Sequence, residues 1–346
     1  ISMGGEYQYF FSPIRVSTNV DGKPGSLQSD DELRSQQLLL FAQADVELPA
    51  SFFLTLGLSY NKLKYDFIAR FVTPEISQHR NFTPQLSPRV ALLKKFGEDL
   101  SVYGSVSSGF SPPSLAEVRP STGTYNNILN PEHGYNYETG LRGSLLNHRL
   151  LFDAAFFIFK LDETIVIQRD EEGADYFVNA GKTDQRGIEA RIAWNQVMEG
   201  RTLSVFNAWI SYAYSHFRFD DYVQDGVDYS GNRLTGVAPS VATLGLDATV
   251  WKFYANATVA YVDAIPLNDA NSEYADEYVL VGGRLGFKAR IGKSLPIELF
   301  AGIDNALDKK YSLGNDLNAI GGRYYNAAPG RNYFAGVTFK PVFRAR

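Results

Sequence analysis

Apolar and polar positions alternate with a period of two along most of this chain. Leu38, Leu40, Ala42, Ala44, Val46 and Leu48 share one parity, while Gln43, Asp45 and Glu47 share the other. Phe52, Leu54, Leu56, Leu58 and Tyr60 repeat the pattern against Thr55, Gly57, Ser59 and Asn61. Later copies run through Ala242, Leu244, Leu246, Ala248 and Val250, through Val279, Val281, Leu285 and Phe287, and through Tyr333, Ala335, Val337 and Phe339. A period of two gives each segment one apolar and one polar face, the signature of a β-strand. Helical periodicity is sustained nowhere.

The connections alternate in length. Short turns are expected near 49–50, 97–98, 147–148, 198–200, 251–252 and 292–295. Between them lie longer polar segments at 13–33, 66–86, 111–133, 162–182, 220–237, 263–277 and 306–330. Short turns on one rim and long loops on the other is the plan of a membrane barrel, and it gives about fourteen antiparallel strands. Several strands are long enough to cross a tilted bilayer. Tyr60, Tyr65, Phe96, Trp194, Trp251, Phe253 and Tyr333 stand at strand ends and are expected in interfacial girdles. The expected fold class is therefore all-β, an antiparallel transmembrane β-barrel, with a soluble sandwich or propeller as the alternative that strand length weighs against.

Composition agrees. Aromatics make up 14% of the 346 residues, with 21 Tyr and 24 Phe, and the 30 Gly suit many tight turns. No apolar run approaches the roughly 18 residues that a helical span requires. The chain has no Cys, which excludes disulfides, thiol catalysis and cysteine metal sites. A net charge of −5 leaves no electrostatic footprint for nucleic acid. Residues 1–11 lack the basic start and apolar core of a signal peptide and read as the inside of a strand, so the chain is expected to begin partway through a larger protein.

Specific segments carry a family resemblance. Residues 301–311, Ala-Gly-Ile-Asp-Asn-Ala-Leu-Asp-Lys-Lys-Tyr, are followed at 329–339 by Pro-Gly-Arg-Asn-Tyr-Phe-Ala-Gly-Val-Thr-Phe. Earlier come Leu-Ser-Pro-Arg-Val-Ala-Leu at 86–92, the Tyr-Gly-Ser-Val-Ser-Ser-Gly-Phe run with its Pro-Pro-Ser-Leu-Ala-Glu ending at Glu117, and Leu-Asn-Pro-Glu at 129–132 with Asn-Tyr-Glu-Thr-Gly at 136–140. Asn-Ala-Gly-Lys at 179–182 precedes Arg-Gly-Ile-Glu-Ala at 186–190. In this order the motifs resemble the C-terminal barrel portion of a TonB-dependent outer-membrane receptor.

The resemblance implies a bacterial outer-membrane barrel of about 22 strands closed by a plug domain. Residues 1–346 would supply its C-terminal strands, with the plug and about eight strands absent from this chain, which alone is expected not to support energised uptake. It implies active transport of a small molecule, with TonB acting through the plug and with outer-membrane lipid around the wall. Asn136, Glu138, Arg142, Arg186, Glu189 and Arg191 are expected as polar ladders on the lumen side. The tail 341–346 departs from the family, whose members usually stop at an aromatic residue.

Recognition is expected in the long loops, at Arg70, Arg80, Arg119, Tyr125, Arg169, Tyr176, Tyr222, Arg233, Tyr274, Arg323, Tyr324 and Tyr325, with Tyr229 nearby. Arg offers bidentate contacts to carboxylates and Tyr joins apolar area to a hydroxyl, a mixture suited to a ferric siderophore or iron citrate. Asp170, Glu171, Glu172, Asp220, Asp221 and Asp276 in the same loops argue against a simple basic trap. No cofactor, metal site or catalytic residue is expected. Ser215 and His216, adjacent in a strand, point to opposite faces and make a poor nucleophile and base. A passive porin-like barrel, an outer-membrane hydrolase, and a receptor for cobalamin or an oligosaccharide remain the alternatives.

Overall fold

In a computed structural model of the protein, residues 1–120, 123–198, 203–292 and 295–340 are described. Fourteen long strands form one sheet: β1 (Ser2–Val20), β2 (Lys23–Leu48), β3 (Phe52–Ala69), β4 (Gln85–Phe96), β5 (Leu100–Ser111), β6 (Glu132–Leu145), β7 (Leu150–Asp162), β8 (Lys182–Val197), β9 (Leu203–Asp221), β10 (Ser240–Val250), β11 (Phe253–Val262), β12 (Tyr278–Ile291), β13 (Leu295–Asp304) and β14 (Asn332–Phe339). Each pairs antiparallel with its neighbours in sequence, and among the described residues no ladder joins β14 back to β1. The turns expected at 198–200 and 292–295 lie partly outside the described residues, as the tail 341–346 does wholly.

The expected loops are shorter than their polar composition suggested. Residues 13–33 belong almost entirely to a hairpin that carries β1 and β2 well past the apolar stripe and closes at Asp21 and Gly22, both at positive φ (50° and 79°). An Asp-Gly pair supports a type I′ tip because both central residues must enter the left-handed region. Strand Ile76–Asn81 folds back onto β3, and Ile165–Arg169 pairs with Asp175–Asn179 inside the loop between β7 and β8. Backbone pairing continues beyond the membrane wherever two polar segments can still form a ladder.

Register assigns the faces. Directly opposed residues share a face, and the rows Arg142–Asp153–Arg191–Ser211–Thr243 and Glu138–Phe157–Gly187–Ser215 run along one of them. The other face presents Leu40, Leu56, Leu58, Val90, Leu92, Ile188, Ile192, Leu244, Leu246, Leu285 and Val337 outward, all exposed. An exposed apolar face of this extent is the lipid-facing band of a barrel wall, and the polar face is its lumen. Trp251, Phe253 and Phe287 cluster on the short-turn rim, with the two Phe rings 4.9 Å apart. Two expectations change. Tyr65 is buried on the lumen side and donates to the Pro113 carbonyl at 2.5 Å instead of standing in a girdle. Arg186 has the parity of Ile188 and Ile192 and so faces outward, whereas Asn136, Glu138, Arg142, Glu189 and Arg191 do line the lumen.

Cross-strand pairing explains the glycines of the lumen wall. Gly140 lies opposite Tyr103, Gly187 opposite Phe157, Gly245 opposite Trp209, Gly286 opposite Tyr254 and Gly336 opposite Phe300. In every case the aromatic ring covers the space that a Cβ would need. Cations then sit over the flattened rings: Arg142 over Tyr103 at 5.2 Å, Arg191 over Trp209 at 5.3 Å and Arg284 over Phe300 at 3.7 Å. Glycine, ring and cation form one repeating unit that lines the lumen with aromatic surface yet keeps it polar.

The motifs mark the places where loops leave this wall. Ser114 and Glu117 form a capping box on the short helix α1 (Leu115–Val118), with the Ser114 N–H donating to the Glu117 carboxylate at 2.6 Å. Glu132 accepts the Ile165 N–H at 2.8 Å. Asn305, nearly buried and at positive φ, receives the Lys309 N–H at 2.9 Å and donates to the Lys309 carbonyl at 2.8 Å, while Asp308 accepts the Arg331 N–H at 2.9 Å. These residues close the roots of their loops.

Replacing Gly245 by Val drives a branched side chain into the Trp209 ring. The substitution is expected to destabilise the folded barrel by about 1–3 kcal/mol, the usual cost of overpacking, read as a lower midpoint of heat-induced mobility change in detergent. An unchanged midpoint would contradict the ring-on-glycine packing.

Candidate ligand-binding surface

The long loops stack into a cap over one rim, held by two buried centres. The first packs Leu33, Leu63, Phe67, Phe82 and Val118 with Tyr65 and Tyr125. Here α1 delivers Val118 into the apolar cluster and Arg119 onto Asp31, with Nε and an Nη both donating to one carboxylate oxygen at 2.9 and 2.5 Å. Both side chains are 6% exposed, so neither can lose the other without stranding a charge. Tyr125 stacks on Phe67 at 4.7 Å and 4°.

The second centre is Asp269, 4% exposed. Its carboxylate receives Gln168 Nε2 at 2.8 Å, the Tyr222 hydroxyl at 3.2 Å, Asn318 Nδ2 at 3.2 Å and the Thr235 hydroxyl. Its backbone N–H donates to Asn318 Oδ1 at 3.0 Å, and its carbonyl accepts Asn232 Nδ2 at 2.7 Å. One side chain thereby joins the loops at 163–181, 222–239, 263–277 and 305–331. No cation pairs with it among the described residues; neutral donors carry the charge. Burial and the adjoining Asp269 push the Tyr222 hydroxyl far above the ordinary tyrosine range, so it remains a donor.

Most of the expected recognition residues are engaged within this cap. Arg70 pairs with Glu32, and Arg80 donates to the carbonyls of Asn127 and Leu129, the latter at 2.9 Å. Arg119 and Tyr125 belong to the first centre and Tyr222 to the second. Arg169 bridges Asp175 at 2.8 Å and Asp316 at 3.3 Å. Arg233 lies exposed against Arg218 in an antiparallel bridge, away from the others. Tyr274, Arg323, Tyr324 and Tyr325 do come together: Tyr325 donates to the Tyr274 carbonyl at 3.1 Å, its ring lies 6.4 Å from that of Tyr324, and Tyr324 receives Asn268 Nδ2 at 3.5 Å. Arg323 is exposed and meets no carboxylate among the described residues. Its guanidinium points toward Gly173 at the tip of the neighbouring hairpin.

Tyr176 lines a separate cleft of about 630 Å³ between residues 120–130 and the strand Asp175–Asn179. Asn126, Asn127 and Ile128 form its opposite wall, and Ile128 is 77% exposed. Burial, then Asp225 and Asp170, raise the Tyr176 hydroxyl above its ordinary range. The asparagines that fix this cleft were not expected. Asn126 Nδ2 reaches the Phe177 carbonyl at 3.0 Å, and Asn179 Nδ2 reaches Asn130 O at 3.0 Å. Asn-rich loops are a signal for side-chain-to-backbone clamps, but the partner is not legible from spacing. Ser215 and His216 occupy opposite faces of β9, and among the described residues no three acidic, His or Cys side chains converge to hold a metal.

Replacing Asp269 by Ala orphans four donors, the buried Tyr222 hydroxyl and the half-buried Gln168, Thr235 and Asn318 groups, at up to about 1–3 kcal/mol each where water cannot reach them. Hydrogen exchange is expected to rise in the four joined loops and to stay unchanged in β4–β8, and Asp269→Asn, which sets an amide against donors, should do no better. Because the folded Tyr222 keeps its proton above the ordinary tyrosine pKa, its contribution is fully present below pH of about 10 and is lost as pH rises beyond it. Equal exchange in wild type and variant would contradict the role given to Asp269.

Comparison with known proteins agrees with the wall and the cap. The family model described as TonB dependent receptor-like, beta-barrel matches residues 1–306. A siderophore receptor, PiuA of Acinetobacter baumannii, is 23% identical over 314 residues, covering 86% of this chain and 39% of the relative. The ferrioxamine B receptor of Salmonella typhimurium is 23% identical over 264 residues, covering 74% and 34%. Among solved structures, PiuA superposes with a TM-score of 0.73 at 20% identity over 97% of this chain and 52% of that one. The ferric citrate transporter FecA, unliganded, gives 0.75 at 15% identity over 98% and 51%. The chain thus spans between about a third and a half of the length of these relatives. It belongs to the TonB-dependent receptor-like β-barrel family, a family of bacterial outer-membrane barrels.

Proposed function

We propose that this chain forms the C-terminal wall and loop cap of a receptor that takes up a ferric chelate across the outer membrane, driven by TonB. The remaining strands and a plug inside the lumen would come from sequence beyond this chain. The observation that carries the reading is the division of labour in the cap. Arg70, Arg80, Arg119 and Arg169 are consumed in ion pairs and backbone contacts, while Arg323 and Tyr325 remain exposed, with the half-buried Tyr324 between them and Tyr274 alongside.

The exposed Arg323 guanidinium offers charge-assisted donors to the oxygens of an anionic chelate, and the adjoining Tyr324 and Tyr325 rings add aromatic contact area. The Tyr176 cleft, with Ile128 and Asn126, provides a second contact region of mixed character. No residue here is assigned to catalysis, since Ser215 and His216 stand on opposite faces of their strand.

Uptake of iron-55 complexed to a hydroxamate siderophore, a catecholate siderophore or citrate tests the reading in cells expressing the native-length protein. Accumulation of one of them is expected to stop when TonB is deleted, and Arg323→Gln should weaken surface binding of that chelate by roughly tenfold, the scale of one charge-assisted hydrogen bond. Chelate entry that persists without TonB would contradict the transport assignment and favour a passive pore.

A further inference from the structure

The outward face of β9 carries charges that lipid tails cannot satisfy. Tyr212 and Tyr214 stand on this face, exposed, in the manner of an interfacial girdle, and next on the same face come His216 and Arg218. The returning chain sets Arg233 directly opposite Arg218 in an antiparallel bridge. Like charges directly opposite one another destabilise a sheet. The acidic side chain directly opposite Arg218 on β8, Asp184, is already held by Lys160 at 2.6 Å and by Arg186. No carboxylate pairs with Arg218 or Arg233 among the described residues.

A cavity lies between these groups. The Leu234 N–H donates to Phe217 O at 3.0 Å and the Ser215 N–H to Pro239 O at 2.8 Å, so residues 234–239 cover the interval that 215–217 cover opposite. The longer side bulges and leaves a space of about 150 Å³, lined by His216, Arg218, Arg233 and Tyr214, with no acidic residue in its wall. Arg218 is pre-set: its Nε donates to His216 Nε2 at 3.2 Å, and an Nη donates to the Gly231 carbonyl at 2.5 Å. Asn271 fixes the Arg233 backbone, accepting its N–H at 2.7 Å and donating to its carbonyl at 3.0 Å.

We propose that Arg218, Arg233 and His216 form a binding site for a phosphate monoester on the lipid-facing wall, at the headgroup level of the outer leaflet. A tetrahedral dianion between the two guanidiniums would turn their repulsion into paired, charge-assisted contacts, for which Arg geometry is suited. The position above Tyr212 and Tyr214, on the rim that bears the long loops, is where headgroups meet a barrel wall. The phosphate can belong to a phosphorylated glycolipid of that leaflet or be free in solution.

Native-length protein reconstituted in nanodiscs containing bis-phosphorylated lipid A, or its dephosphorylated counterpart, tests the site by native mass spectrometry. Wild type is expected to retain the phosphorylated lipid, and Arg218→Gln/Arg233→Gln to retain it on the order of a hundredfold less, as loss of two charged contacts implies. Arg218→Lys/Arg233→Lys, which preserves charge and guards against misfolding, should hold an intermediate amount. Protection by millimolar sodium phosphate alone, lost in the Gln variant and without lipid preference, would support the site with free phosphate as its ligand. Equal retention of both lipids by wild type and Gln variant, with no effect of phosphate, would overturn the proposal.

Discussion

Inside a bilayer a backbone N–H or C=O that lacks a partner costs several kcal/mol, because no water is present to replace it. That constraint governs this structure. Fourteen strands answer it by continuous antiparallel ladders between sequence neighbours. Once pairing is fixed, side chains have only two directions, and the alternation of residues decides what meets lipid and what meets the lumen. The outer edges of β1 and β14 must satisfy the same requirement, which is the physical basis for the proposal that further strands complete the sheet.

The lumen wall meets a second requirement, that of staying polar without filling with long side chains. Setting an aromatic ring over a glycine on the next strand lays the ring against the wall, and an Arg or Lys above it returns charge to the surface. At the rim the problem is reversed. Long loops must be ordered without a large apolar core, and a single buried carboxylate does this for four of them because Asp269 can accept several neutral donors at once. The cap is hydrogen-bonded at its roots, while Arg323 and Tyr325 are exposed.

Strand parity was legible in the sequence because it depends only on neighbours two positions apart. The apolar faces of β2, β3, β10 and β14 are those that alternation indicates. Where a strand leaves the membrane was not legible, since polar residues on both faces of β1 and β2 extend a hairpin as readily as they form a loop. Arg186 was misplaced although its parity was legible: it stands two residues from Ile188 and three from Glu189 on an unbroken ladder, so it shares the outward face and not that of Glu189 and Arg191. Tyr65 looked like a girdle residue by its position, yet its odd number puts it inward with Phe67 and Leu63.

The cap was the least legible part. Residue type suggested that loop arginines bind ligand, whereas Arg80, Arg119 and Arg169 hold loops together through contacts across long sequence separations that spacing does not encode. The family motifs, by contrast, carry local physics: a capping box at Ser114 and Glu117, and a paired turn at Asn305 and Asp308 that grips the Pro-Gly-Arg segment.

The absence of cysteine allows a direct test of the two-faced wall. Single cysteines at Thr243, Leu244, Leu246 and Asp247 in the native-length protein, spin-labelled in lipid bilayers, report whether oxygen dissolved in the hydrocarbon or a water-soluble relaxant reaches each label. Oxygen access is expected at Leu244 and Leu246 and not at Thr243 or Asp247. Loss of that alternation, or its reversal, would contradict the assignment of lipid and lumen faces on which the rest stands.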